Sequence, residues 1–147
     1  MYLVIIQEYF QINSIKFDTH SYKVREYNYG TSEAILDIAD WHIGMLTSNY
    51  WNVYNLEVAK ERMNDLIDYT IKYGVMHNIK TLHVNDLGDQ ISGIIHENLV
   101  AENEFDVVRQ VREWVELIGN ALIKISSVFK EVKYYNVSGN HSRIFPD

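Results

Sequence analysis

The chain has 147 residues, 47% of them hydrophobic and 22% charged, which is the composition of one globular domain rather than of a disordered segment. Acidic residues outnumber basic ones 20 to 13, for a net charge of −7, so a basic face for duplex DNA is not in evidence, although bound metal ions can neutralise phosphate locally in an acidic protein. There is no Cys, which excludes a disulfide framework, a thiolate metal site and a cysteine nucleophile.

Residues 1–30 are rich in Tyr, Ile, Val and Phe, with Asp18-Thr19-His20 between two runs. They are expected to form a β-rich N-terminal segment, a hairpin. The opening 1–6 run lacks the basic region of a signal peptide, and no apolar stretch reaches the roughly 20 residues of a membrane span. A cytoplasmic protein with no membrane partner is therefore expected. A break over 27–32 separates this segment from a domain over 31–147.

The apolar run 34–39 has the length of a buried strand and ends at Asp40. Leu56, Ala59, Met63, Leu66, Ile67 and Ile71 recur at helical spacing, with Asn55 as cap and Gly74 as stop. A second strand over 80–86 leads to Gly88-Asp89. A helix over 102–130 follows, with a stripe of Phe105, Val108, Val111, Val115, Ile118, Leu122, Ile125 and Phe129. Gly119 inside it costs about 1 kcal/mol against Ala. A third strand over 131–137 ends at Gly139-Asn140-His141. Strand, helix, strand, helix, strand implies an α/β fold of parallel strands with right-handed crossovers. Their carboxyl ends then share one edge, where open α/β sheets bind ligands, and all three motifs fall there.

The residue types at that edge suit divalent metals over a phosphate. Asp40 and His42 lie two apart and project to the same side of a strand end. Gly88 permits a tight turn that aims Asp89 over the strand ends, where a carboxylate can bridge two ions. Asp86 is an alternative ligand, or a group that supports one. Asn140 offers a neutral oxygen and His141 an imidazole. Taken singly, each segment also reads as an ordinary turn or cap; their convergence is what points to chemistry. Arg143 carries a guanidinium suited to phosphate, or a solvated loop charge. His83 is read as packed on its strand or supporting a ligand. His20 and His77 sit in turns without an assigned role, and Glu57, Glu61, Asp65 and Asp68 form a solvated helix face.

The order D-x-H, GD, GNH resembles the calcineurin-like metallophosphoesterase superfamily over residues 34–143, about three quarters of the chain. The resemblance implies the βαβαβ half of a layered α/β/β/α sandwich. It implies a dinuclear metal-dependent phosphoesterase, a phosphodiesterase or nuclease acting on nucleic acid or nucleotide phosphoesters. Asp40 and His42 would bind one metal, Asp89 would bridge both and Asn140 would bind the second. His141 would contact the phosphate and protonate the leaving oxygen while a metal-bound hydroxide attacks in line. The ions would be Mn²⁺ first, with Zn²⁺, Fe or Ni²⁺ as alternatives.

Ser142 replaces the acidic residue that many family members have after GNH, so another group must orient His141. Arg143 is similar to the GNH-x-Arg of a phage-type subgroup, and residues 92–97 look like its DNA-repair-exonuclease-like relatives, with His96 and Glu97 lining a substrate groove or starting an exposed helix. Gly88-Asp89-Gln90 lacks the second acid and arginine of the protein-phosphatase version, which argues against a phosphoprotein phosphatase. The resemblance implies that the family's remaining metal histidines would lie beyond position 147. The chain is thus expected to be the N-terminal half of such a domain, weakly active or inactive alone. Its uncovered apolar surface would then be a route to homo-oligomers. The competing function is a non-catalytic scaffold on the same fold; the intact Asp40, His42, Asp89 and Asn140 favour the enzyme.

Overall fold

The computed structural model describes residues 27–95 and 97–143. Most of the expected N-terminal hairpin, with His20, lies outside the described residues, as do His96 and the side chain of Glu97. Within them the fold is mixed α/β. Strand β1 (Glu33–Ile38) leads to a small hairpin, β2 (Thr47–Ser48) and β3 (Val53–Tyr54). Helix α1 (Leu56–Met76), β4 (Thr81–Asp86), α2 (Glu97–Glu102), α3 (Val107–Ser126), β5 (Glu131–Asn136) and a 3₁₀ turn at Asn140–Ser142 follow. The main sheet has the order β1-β4-β5, parallel throughout, with Glu33 opposite Thr81 and Thr81 opposite Glu131.

Asn55 caps α1 as expected; it is extended, and its side chain accepts the Val58 amide at 2.9 Å. The helix does not stop at Gly74 but runs on to Met76, and Asn78 supplies the left-handed residue after it (φ 54°). Gly74 is there for packing: a Cβ at this position would overlap the Phe129 ring. Alanine normally gains about 1 kcal/mol over glycine in a helix. Gly74→Ala should instead destabilise by about 1–3 kcal/mol in urea unfolding, because the ring is fixed in the core. Pairing it with Phe129→Leu should recover part of the loss.

The helix expected over 102–130 is shorter at both ends, as α3 (Val107–Ser126), and the separate short helix α2 (Glu97–Glu102) precedes it. Between them residues 103–106 leave helical geometry to engage the turn after β1. The Glu104 amide donates to the Gly44 carbonyl at 2.7 Å, and the Glu104 carboxylate accepts the Leu56 amide at 3.0 Å, capping α1 from outside. Asp106 then caps α3 by accepting the Arg109 amide at 3.0 Å.

The buried face of α3 is also rotated from the expected stripe. It comprises Gln110, Glu113, Trp114, Leu117, Ile118, Ala121 and Ile125, whereas Val108 is 75% and Val111 47% exposed. Two polar residues hold that face inward. The Gln110 amide bridges the Gly93 amide (2.8 Å) and the Phe105 carbonyl (3.0 Å). Glu113 gathers Arg112, Arg109 and Lys60 at 3.2, 3.5 and 3.7 Å.

Ile38, Leu82 and Val84 of the sheet join Met63, Ile67, Ile118 and Ile125 of α1 and α3 in one core. The other sheet face is polar, which corrects the expected apolar one. His83 Nε2 meets the Glu33 carboxylate at 2.7 Å and its ring stacks on Tyr135; the Asn85 amide donates to Asp37 at 2.8 Å. Ile35 is an exposed exception. Glu57, Glu61, Asp65 and Asp68 are exposed on α1. Among the described residues no helix is long and apolar enough to cross a membrane.

Candidate metal centre

Beyond their last paired residues, β1 and β4 continue to hold each other through backbone bonds. The Asp40 amide donates to Gly88 (3.1 Å), His42 to Asp89 (3.0 Å) and Ile43 to Gln90 (3.0 Å). The D-x-H and GD segments are therefore locked side by side at the carboxyl edge. Asp40, His42 and Asp89 all have left-handed backbone, at φ 56°, 44° and 53°. Such conformations cost about 1–3 kcal/mol each for non-glycine residues and cluster where function demands them.

The third segment closes onto Asp89. Gly88 and Gly139 let the two turns touch: a Cβ on Gly88 would come within 2.9 Å of the Gly139 Cα, and one on Gly139 would overlap the Asp89 carboxylate. Asp89 Oδ1 accepts the His141 amide at 2.9 Å. The imidazole of His141 lies with Nδ1 2.7 Å from the Ser92 carbonyl. A carbonyl only accepts, so Nδ1 carries the proton. Ser92 is thus the group that orients His141 where an acidic neighbour is missing. Sequence reasoning did not find it, since a backbone carbonyl carries no residue signature.

His42, Asp89 and His141 each offer a ligand atom, and these atoms all lie within 4.8 Å of one another. The two imidazole rings meet edge-on, centroids 4.4 Å apart. Asp40 stands beside them, its Oδ1 3.6 Å from His42 Nε2 and its side chain 70% exposed. Asn140 lies exposed in the 3₁₀ turn and Arg143 exposed just after it. Burial, followed by the nearby His141, pushes the His42 pKa below its ordinary value. His42 is thereby kept neutral, with a lone pair to offer. Its Nδ1 is buried with no hydrogen-bond partner among the described residues. A neutral imidazole whose ring nitrogen lies within 4.8 Å of a carboxylate oxygen and of a second imidazole nitrogen is a donor set that fits a divalent cation.

Asp86, the alternative ligand, is instead the floor beneath this edge. It is buried, and its carboxylate accepts from Tyr134 Oη (2.6 Å), Asn136 Nδ2 (2.8 Å) and Gln90 Nε2 (2.9 Å). Gln90 also reaches the Val137 carbonyl at 3.0 Å, tying the β4 exit to the β5 exit. His83 takes no part in the centre; it belongs to the polar sheet face. His77 caps the end of α1 against the Tyr73 ring.

No family model and no solved structure matches the chain. It is 25% identical over 113 residues to the SPbeta prophage-derived uncharacterized protein YonJ of Bacillus subtilis (strain 168). That match covers 76% of this chain and 28% of the relative, so the chain spans less than a third of the length of the curated protein it matches.

Proposed function

We propose that this chain supplies the metal centre of a calcineurin-like metallophosphoesterase, a phosphodiesterase or nuclease acting on nucleic acid or nucleotide phosphoesters. The observation that carries the reading is the meeting of His42, Asp89 and His141 within 4.8 Å at the carboxyl edge of three parallel strands. The left-handed backbone at Asp40, His42 and Asp89 supports it, because such conformations cluster at functional sites. Similarity to a prophage-derived protein supports the phage-related part of this reading alone.

In this reading Asp40, His42, Asp89 and the Asn140 side-chain oxygen would hold the ions, with Asp89 shared between two. Two divalent ions, Mn²⁺ first, would neutralise charge on the phosphate oxygens and lower the pKa of a water molecule. Asp89 has a second task, since its Oδ1 also fixes the His141 amide. With the Nδ1 proton committed to Ser92, His141 would act through Nε2, giving a second proton held there to the leaving oxygen and being left as the neutral imidazole. Arg143 stands one residue beyond the 3₁₀ turn, a position from which its guanidinium can bind phosphate.

The test is Mn²⁺-dependent hydrolysis of bis(p-nitrophenyl) phosphate and of DNA, by this chain and by the full-length protein. At saturating Mn²⁺, His141→Gln should lower turnover by about 10²–10⁴-fold. Full-length protein that binds Mn²⁺ but turns over neither substrate would replace the enzyme with a scaffold.

A further inference from the structure

The β2–β3 hairpin begins two residues after Met45 and ends in an aromatic tip that the metal centre does not use. Tyr50 is 90% and Trp51 89% exposed, with their rings edge-on at 4.8 Å and 89°. The tip is preformed. Asn49 Oδ1 accepts the amides of Trp51 (2.9 Å) and Asn52 (3.0 Å), and the Asn49 amide donates to the Asn52 carbonyl at 3.0 Å. The base of the hairpin is tied to the centre itself. The Tyr54 hydroxyl donates to the carbonyl of Trp41, the residue between Asp40 and His42. Arg62 covers the Tyr54 ring, and Trp41 packs on Trp114.

A pair of large rings held out in water is costly unless something lands on it. Residues 43–56 carry no charged side chain, in a chain whose net charge is −7. The tip therefore neither repels a polyanion nor captures one through its phosphates. What it presents is two π-faces bracketed by the Asn49 and Asn52 amides, on a rigid arm rooted beside the candidate phosphoester site. Stacking on preformed aromatic rings is how unpaired bases are held without reading their sequence. We propose that Tyr50 and Trp51 form a stacking site for an unpaired nucleobase of the strand presented to the metal centre. The choice of a nucleobase rests on the phosphoesterase reading; the site itself rests on the exposed, preformed tip.

The test is binding of a short oligothymidylate to the full chain in EDTA, followed by quenching of tryptophan emission and by anisotropy of a labelled strand. Working without metal separates base binding from catalysis. Tyr50→Ala and Trp51→Ala should each weaken binding by about tenfold, and Trp51→Phe should restore most of it. Affinity should change little between 50 and 200 mM salt, unlike a phosphate-driven complex. Asp89→Ala should keep oligonucleotide binding while losing Mn²⁺, so failure of the phosphoesterase reading would leave this result standing. Equal binding by parent and Trp51→Ala would overturn the proposal. So would a blue shift of Trp51 on neutral lipid vesicles with no response to the oligonucleotide, which would make the tip a membrane contact.

Discussion

Asp89→Asn is expected to weaken Mn²⁺ binding by more than about 100-fold while leaving Tm nearly unchanged. Loss of a group that merely supports a ligand already costs about 10–100-fold in metal affinity, and Asp89 is proposed as a ligand to both ions. The fold should tolerate asparagine for two local reasons. Asparagine enters the left-handed region readily, and Asp89 sits at φ 53°. It also keeps an Oδ1 to accept the His141 amide, now bound at 2.9 Å. Alanine does neither. Asp89→Ala should lose the metal and also about 1–3 kcal/mol, from the unpaired His141 amide and the strained backbone. Calorimetric titration with Mn²⁺ beside a thermal melt separates the two variants. Parent-like Mn²⁺ affinity in Asp89→Asn would remove Asp89 from the proposed centre.

The three strand ends were legible because each strand is short, carries apolar residues such as Leu36, Val84 and Val132 toward the helices, and is followed by Asp or Gly. What the sequence concealed was set by contacts far along the chain. Asn103 and Asp106 are residue types that favour caps and turns, a local sign of the break, while the Gly44 carbonyl and the Leu56 amide that hold Glu104 there are both distant in sequence. The α3 face was misjudged because hydrophobicity cannot show that Gln110 and Glu113 are buried by partners on other elements. Gly74 has the sequence signature of a stop, and its other use, a seat for the Phe129 ring, exists only in the tertiary structure. The polar sheet face, by contrast, is present in the sequence. Glu33 and Asp37, His83 and Asn85, and Glu131 and Lys133 alternate with the core residues of their strands, a period of two that marks a face of different character. At the centre, the side chains Asp40, His42, Asp89 and His141 could be named from spacing. The Ser92 carbonyl and the left-handed turns that aim those side chains could not.

Asp86→Ala should lower stability by about 2–4 kcal/mol, or Tm by roughly 10 °C for a chain of this length. One carboxylate satisfies three side-chain donors, from Gln90, Tyr134 and Asn136. Gln90 is buried, so its amide would lose a partner that water cannot easily replace. Tyr134 and Asn136 are more exposed and can recover part of their loss by hydration, which keeps the estimate below that for a fully buried network. The same carboxylate sets the pH response. Burial, and then the hydrogen bond to Asp86, raise the Tyr134 pKa well above its ordinary value of 10.0. The unfolded chain therefore ionises this tyrosine first, and its contribution is present below pH 10 and lost as the pH climbs beyond it. Asp86→Ala should lessen that alkaline decline only in part in a denaturation series, because burial, the larger cause of the raised Tyr134 pKa, remains. Because Gln90 ties the β4 exit to the β5 exit, the variant should also weaken Mn²⁺ binding by about 10–100-fold, with every proposed ligand still present. Asp89→Asn and Asp86→Ala thus dissociate the two roles of this edge, the first removing a ligand from an intact frame and the second loosening the frame beneath intact ligands.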